Sequence, residues 1–184
     1  SASRGLSSRL RVGWTGSPST LRFIEPLFAP LDALAAEFEI ELVLIGVSGS
    51  GYSFQQLPVT CLPWSEEVEF REVPQFDLGL HSLDQTDLSL KRGAGKIFIY
   101  MAAGVPFITD ARGIGLDVIT ESGAGVPVAN PTDWLERLRH IISSRQERHE
   151  HAKRGLEFAR AEISYEVFRA LLKKLLSEAS DGIR

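Results

Sequence analysis

Three cations fall within six residues in Lys91-Arg92-Gly93-Ala94-Gly95-Lys96, interleaved with glycine, and the apolar run 97–103 follows directly. Glycine lets backbone N–H groups approach an anion closely, and a helix start adds the positive end of its dipole. A lysine near a helix N-terminus is itself unfavourable by about 0.3–1 kcal/mol. Lys96 at such a start therefore points to a negatively charged guest, and the expected guest is a phosphate. Gly104 and Pro106 stop the helix where Phe107-Ile108-Thr109 can begin a strand. A second glycine loop, Gly13-Trp14-Thr15-Gly16-Ser17, follows a short strand and faces a helix that begins at Pro18, with Ser17 placed to cap it.

Other chemistry-bearing residues are more scattered. His81 ends a strand beside the basic loop, and a lone histidine there is more often structural than catalytic. Asp84 and Asp87 flank Gln-Thr, but isolated loop aspartates are commonly solvated or capping. Gly113-Ile114-Gly115 lacks the third glycine of a dinucleotide fingerprint. No Gly-any-Ser-any-Gly elbow and no Asp-any-Asp triplet occurs, which argues against a serine hydrolase and against a metal-dependent transferase. His140, His149 and His151 lie in a charged stretch and read as exposed. The single cysteine, Cys61, excludes a disulfide framework and reads as a buried thiol, which suits a reducing cytoplasm.

An alternation of strands and helices must position these groups. Strands are expected at 10–14, 41–47, 57–62, 76–81, 107–109 and 125–129. Helices are expected from Pro18 to about Phe38, bent or interrupted by Pro26 and Pro30, and at 65–72, 97–103 and 116–121. The expected fold is α/β: a doubly wound, Rossmann-like parallel sheet of about six strands with flanking helices and a helical C-terminal tail. That tail starts at Asn130-Pro131-Thr132-Asp133, carries Leu135, Leu138, Ile141 and Ile142 at helical spacing, and resumes after Ser164 with Phe168, Leu171, Leu172, Leu175 and Leu176. Between these, 143–160 is heavily charged and expected to be mostly exposed.

With 184 residues, 43% hydrophobic and 24% charged, the chain has the makings of one domain over 10–184, residues 1–9 reading as a linker. A net charge of −4 argues against non-specific nucleic-acid binding. No run reaches the ~18 apolar residues of a membrane span, and the first nine residues lack the apolar core of a signal peptide.

Taken together, Gly13-Trp14-Thr15-Gly16-Ser17-Pro18-Ser19-Thr20, Phe76-Asp77-Leu78-Gly79-Leu80 and the segment from Lys96 to Pro106 resemble retaining glycosyltransferases of the GT-B type, glycosyl transferase group 1, in their C-terminal donor-binding half. Tyr100-Met101-Ala102-Ala103-Gly104-Val105-Pro106 is the most specific part, and the resemblance runs from Leu10 to the final helix. It implies one of two facing Rossmann-like domains, holding a UDP- or GDP-linked sugar while a missing N-terminal domain holds the acceptor. It also implies a metal-independent, hexosyltransferase-like enzyme without a cofactor, inactive as an isolated domain, and leaves room for peripheral membrane contact through the missing half. By the same resemblance Gly13, Gly16, Ser17, Arg22, Lys91, Arg92, Gly93, Gly95 and Lys96 would meet the phosphates. Pro63 and Trp64 would lie beside the base, Trp64 being equally suited to the core, and His81 would contact sugar or phosphate. Two positions depart from the family: the Glu or Gln that grips the ribose is replaced by Ile99, and the acid expected near the sugar is replaced by Lys91. The alternatives are a catalytically silent nucleotide-binding module of the same fold and an unrelated flavodoxin-like domain.

Overall fold

Residues 9–47, 52, 54–83, 94–110, 112–167 and 169 are described by the computed structural model. Leucine, valine and isoleucine runs bounded by Gly, Pro and Ser form its strands β1 (Leu10–Thr15), β2 (Ile40–Ile45), β3 (Val59–Leu62), β4 (Leu78–His81), β5 (Phe107–Thr109) and β6 (Val126–Pro127). All pair in parallel, in the order β3-β2-β1-β4-β5-β6. The helices are α1 (Pro18–Leu21), α2 (Phe28–Ala35), α3 (Glu66–Glu72), α4 (Gly95–Ala103), α5 (Ile114–Ser122), α6 (Trp134–Ser143) and α7 (Arg145–Glu162). This is the doubly wound, Rossmann-like α/β sheet that the alternating pattern implies.

Both faces of the sheet are covered, which is why its strands read as unbroken apolar runs. Leu42 and Leu44 pack with Leu31 and Leu34 of α2 and with Leu138 and Ile141 of α6 on one face. Val43 and Ile45 pack with Ile97, Tyr100 and Met101 of α4 and Ile119 of α5 on the other. Each such leucine or isoleucine stabilises the fold by about 1.5–3 kcal/mol through burial. The winding changes direction between β1 and β4, where Gly13 pairs with Gly79. Sheets of this kind open a crevice at the carboxyl ends of the strands beside that switch. On its other side α4 ends as its sequence predicts, with Gly104 left-handed at φ 66° and its N–H bonded to the Met101 carbonyl at 3.0 Å.

Several elements differ from expectation for identifiable reasons. The helix expected from Pro18 to Phe38 is three pieces: α1, a 3-10 turn (Glu25–Leu27) built around Pro26, and α2 with Pro30 in its first turn, where a missing N–H breaks no bond. Phe76 and Asp77 precede β4 instead of opening it, and the Asp77 carboxylate accepts the Arg11 backbone N–H at 2.9 Å. The last strand is only two residues long and ends at Pro127, which has no N–H for the ladder. Asn130 does not cap a helix; its amide donates to Asp133 at 3.1 Å across a 3-10 turn (Pro131–Asp133).

The apolar run of α4 is not buried all round, because Phe98 and Ile99 are half-buried and Ala102 is exposed. Within the mostly exposed 143–160 stretch, α7 turns Gly155 and Ala159 inward, close enough that a Cβ on Gly155 would lie 3.2 Å from Met101. Cys61, expected to be buried, is half-buried on the edge strand β3, and burial pushes its thiol pKa up. His140 and His149 are exposed, whereas His151 is half-buried and its pKa is lowered by that burial. Residues 1–8, most of the 48–53 loop, Asp84, Asp87, Lys91, Arg92, Gly93, and Phe168 with the leucines after it lie outside the described residues. Among the described residues no helix is long and apolar enough to cross a membrane.

Candidate functional site

At the carboxyl ends of β1 and β2 two glycines touch. Gly46 has φ 98°, and a Cβ there would fall 1.7 Å from the Gly16 carbonyl oxygen, so no other residue fits without moving backbone. The Gly16 N–H donates to the Ile45 carbonyl at 3.0 Å and the Gly46 N–H to the Leu62 carbonyl at 2.8 Å, locking the turn after β1 to the ends of β2 and β3. A cavity of about 390 Å³ opens above this floor. The end of β1 gives it Trp14, Thr15 and Gly16; the β3–α3 connection gives Trp64 and α3 gives Glu69; the end of β4 gives His81 and Ser82; and α4 gives Gly95, Lys96 and Ile99.

The start of α4 is the electrostatic centre of this wall. Its cap residue is Ala94, which has no side-chain acceptor for the first-turn N–H groups, and that turn carries no acid. A Cβ built on Gly95 would meet nothing within 4 Å, so backbone there stands open to an incoming group. The Lys96 ammonium lies 5.7 Å from the centroid of the Trp14 ring, a cation–π distance. Helix dipole, first-turn N–H groups and ammonium all favour an anion at this point.

His81 is buried, and its Nδ1 is 2.8 Å from the Thr109 hydroxyl. Burial, reinforced by the charge of Lys96, lowers its pKa to about 3. The ring is neutral at physiological pH and offers one donor and one acceptor nitrogen. Beyond it, the Ser82 hydroxyl and the Leu83 N–H each donate to Asp110 at 2.9 Å, fixing the exit from β4, while burial raises the Asp110 pKa. At the end of β1 the hydroxyl of buried Thr15 donates to the Glu69 carboxylate. Beneath them the Tyr100 hydroxyl donates to the Leu80 carbonyl at 3.0 Å, and burial holds its pKa well above the usual phenol range.

Of the residues singled out from sequence, Gly16, Trp64, His81, Gly95 and Lys96 meet on this one cavity. Gly13 does not: it is buried within β1, and its missing side chain makes room for the Phe76 ring, which a Cβ would strike at 2.2 Å. Ser17 is exposed and leaves α1 uncapped, its hydroxyl lying 3.0 Å from that of Ser19. Arg22 stands at the end of the four-residue α1 with its guanidinium 5.0 Å from the Phe23 ring centroid; Phe23, not Arg22, lines the cavity. Pro63 is exposed beside Trp64 without lining it. Trp64, 59% exposed, is no core aromatic.

Lys91, Arg92 and Gly93 lie outside the described residues. Sequence reasoning missed Thr15, Glu69 and Gly46. Gly46 follows an apolar strand just as Gly16 does, and that parallel was the available signal. A larger cavity of about 710 Å³ between α3, α4 and α7 is mostly apolar, sharing Glu69 and Ile99 with the first. Among the described residues no three His, Cys, Asp or Glu side chains gather as a metal site.

No family model and no curated protein matches this sequence. Solved structures do. WaaG, a glycosyltransferase involved in lipopolysaccharide biosynthesis, superposes with a TM-score of 0.69 at 15% identity over 88% of this chain and 45% of its own. TarM of S. aureus, solved with UDP among its ligands, gives 0.69 at 14% identity over 96% of this chain and 36% of its own. Trehalose 6-phosphate synthase from Burkholderia multivorans gives 0.65 at 16% identity over 96% and 44%. The fold is of the GT-B glycosyltransferase type. The chain spans less than half the length of each of these three proteins.

Proposed function

We propose that this chain is the donor-binding half of a glycosyltransferase, taking a UDP- or GDP-linked sugar whose acceptor is held by a separate N-terminal half. The observation that carries the proposal is the meeting of Gly16, Trp64, His81, Gly95 and Lys96 on one cavity at the switch point of the sheet. The diphosphate lies at the start of α4, against its N–H groups and Lys96. Lys91, Arg92 and Gly93 belong to the same basic segment and add to the phosphate contacts. The base lies along the Trp64 indole and the backbone of Pro63.

Transfer needs charge stabilised on the leaving diphosphate. Preorganised amides and a cation do this without a metal, each well-placed donor contributing a few kcal/mol. Neutral His81 can donate to a sugar or phosphate oxygen without bringing a charge of its own. The acceptor and any base come from the other half, working with this one in the cytoplasm. Ile99 and Lys91, where the family carries an amide or acid, favour one second reading: a module that binds the nucleotide and no longer supports transfer.

Titration with UDP, GDP and ADP tests the proposal. Binding of one of them, with no turnover of its sugar conjugate by this chain alone, is the expected result. Binding of none removes the donor-site proposal, and transfer by this chain alone contradicts the division of labour. Diphosphate release by the chain joined to its acceptor half separates an active transferase from a silent module.

A further inference from the structure

We propose that Glu69 is the group that grips the ribose of the bound nucleotide, doing from α3 what Ile99 on α4 cannot do. This rests on the donor-site proposal above and deepens it. Glu69 lies in the first turn of α3 and Ile99 one turn into α4; both line the 390 Å³ cavity, as do Trp64 and Lys96. Isoleucine accepts no hydrogen bond. Glu69 differs from its exposed neighbours Glu66 and Glu67 in being half-buried and tied down, because the buried hydroxyl of Thr15, at the carboxyl end of β1, donates to its Oε1. Among the described residues Oε2 has no hydrogen-bond partner.

An ionised carboxylate is acceptor-only. It repels a phosphate and seeks hydroxyl donors. In a nucleoside diphosphate the donors in question are the 2′- and 3′-hydroxyls, set between a flat base and the phosphates. The cavity matches that order of chemistry, with an indole for the base, a helix start and ammonium for the phosphates, and one pinned carboxylate for the diol. Thr15 is then a positioning residue that holds Glu69 in reach.

Calorimetric titration of the full chain with UDP, GDP and ADP, each paired with its 2′-deoxy form, and with inorganic pyrophosphate tests this. The native chain should prefer the ribonucleotide over its deoxy form by about tenfold, the loss expected for one hydrogen bond to a charged acceptor. Glu69→Ala should abolish that preference and leave pyrophosphate binding equal or tighter, since a negative charge has gone. The ribo-to-deoxy ratio is read within one protein, so a partly destabilised variant still reports. Thr15→Val should narrow the ratio by freeing the carboxylate.

Equal binding of the two sugars by the native chain, or a preference that survives in Glu69→Ala, overturns the assignment while leaving the donor site standing. Pyrophosphate binding without nucleotide binding also overturns it. No binding of nucleotide or pyrophosphate overturns the donor site and takes this assignment with it.

Discussion

Two helix starts wall the same cavity, and they are built in opposite ways. At the start of α3 the Ser65 hydroxyl accepts the Val68 N–H at 3.1 Å, and Glu66, Glu67 and Glu69 answer the positive end of the dipole. α7 is made the same way, Ser144 accepting from Glu147, itself a first-turn acid. At the start of α4 the cap is Ala94, no acid follows, and Lys96 adds a positive charge where the dipole already disfavours one. At α3 and α7 the chain meets the demand of its helix ends from its own side chains. At α4 it leaves that demand for a ligand, under the donor-site proposal.

The floor beneath both starts can be broken outright. Gly46→Ala forces a left-handed Cβ into the Gly16 carbonyl, costing about 3 kcal/mol or more once strain and backbone displacement are combined. Chemical denaturation should show that loss, and nucleotide titration should show binding lost along with it. A stable Gly46→Ala chain that binds normally would mean the two glycines are not in contact.

Acid sharpens the contrast through His81, which feels both burial and the Lys96 charge. Its folded pKa of about 3 lies below the unfolded value of 6.5, so the folded chain binds fewer protons between these limits and stability falls as pH drops through that window. From pH 7 to 5 the His81 share of the loss is about 2 kcal/mol. His81→Asn should remove that share from the pH dependence of unfolding measured in urea. An unchanged slope would mean that His81 protonates freely in the folded chain.

A smaller effect separates the two starts themselves. Ser65→Ala removes the cap of α3 and should cost about 1 kcal/mol of stability, with diphosphate affinity unaltered. A loss of affinity matching the loss of stability would show that the α3 cap also serves the site.

How legible all this was in the sequence follows from how local each cause is. The six strands, their parallel order, Gly104 at the end of α4 and the closeness of Gly16 to Lys96 follow from alternation and from the rule that such sheets bind at their carboxyl edge. Gly13 and Gly16 look alike on paper, three residues apart. Only the arrival of Phe76 from a distant turn assigns the first to packing and leaves the second at the cavity. Ser17 and Asn130 have good capping residue types, but a four-residue helix and a 3-10 turn leave them little to cap. Glu69 was hidden among the acids of a helix that reads as solvated surface; its role depends on Thr15, fifty-four residues earlier in the chain, which no spacing rule connects to it.

The uncapped start of α4 is tested most directly by titrating the native chain and Lys96→Ala with UDP and GDP, and with uridine and guanosine. Losing a charge-assisted contact of about 1.5–3 kcal/mol should weaken diphosphate binding roughly 10- to 150-fold and leave the nucleosides nearly unchanged. Because the lysine opposes the helix dipole in the empty chain, the melting temperature of the variant should hold or rise slightly. Equal diphosphate affinity in both proteins, with clear binding by the native chain, would contradict the assignment of this helix start to the phosphates.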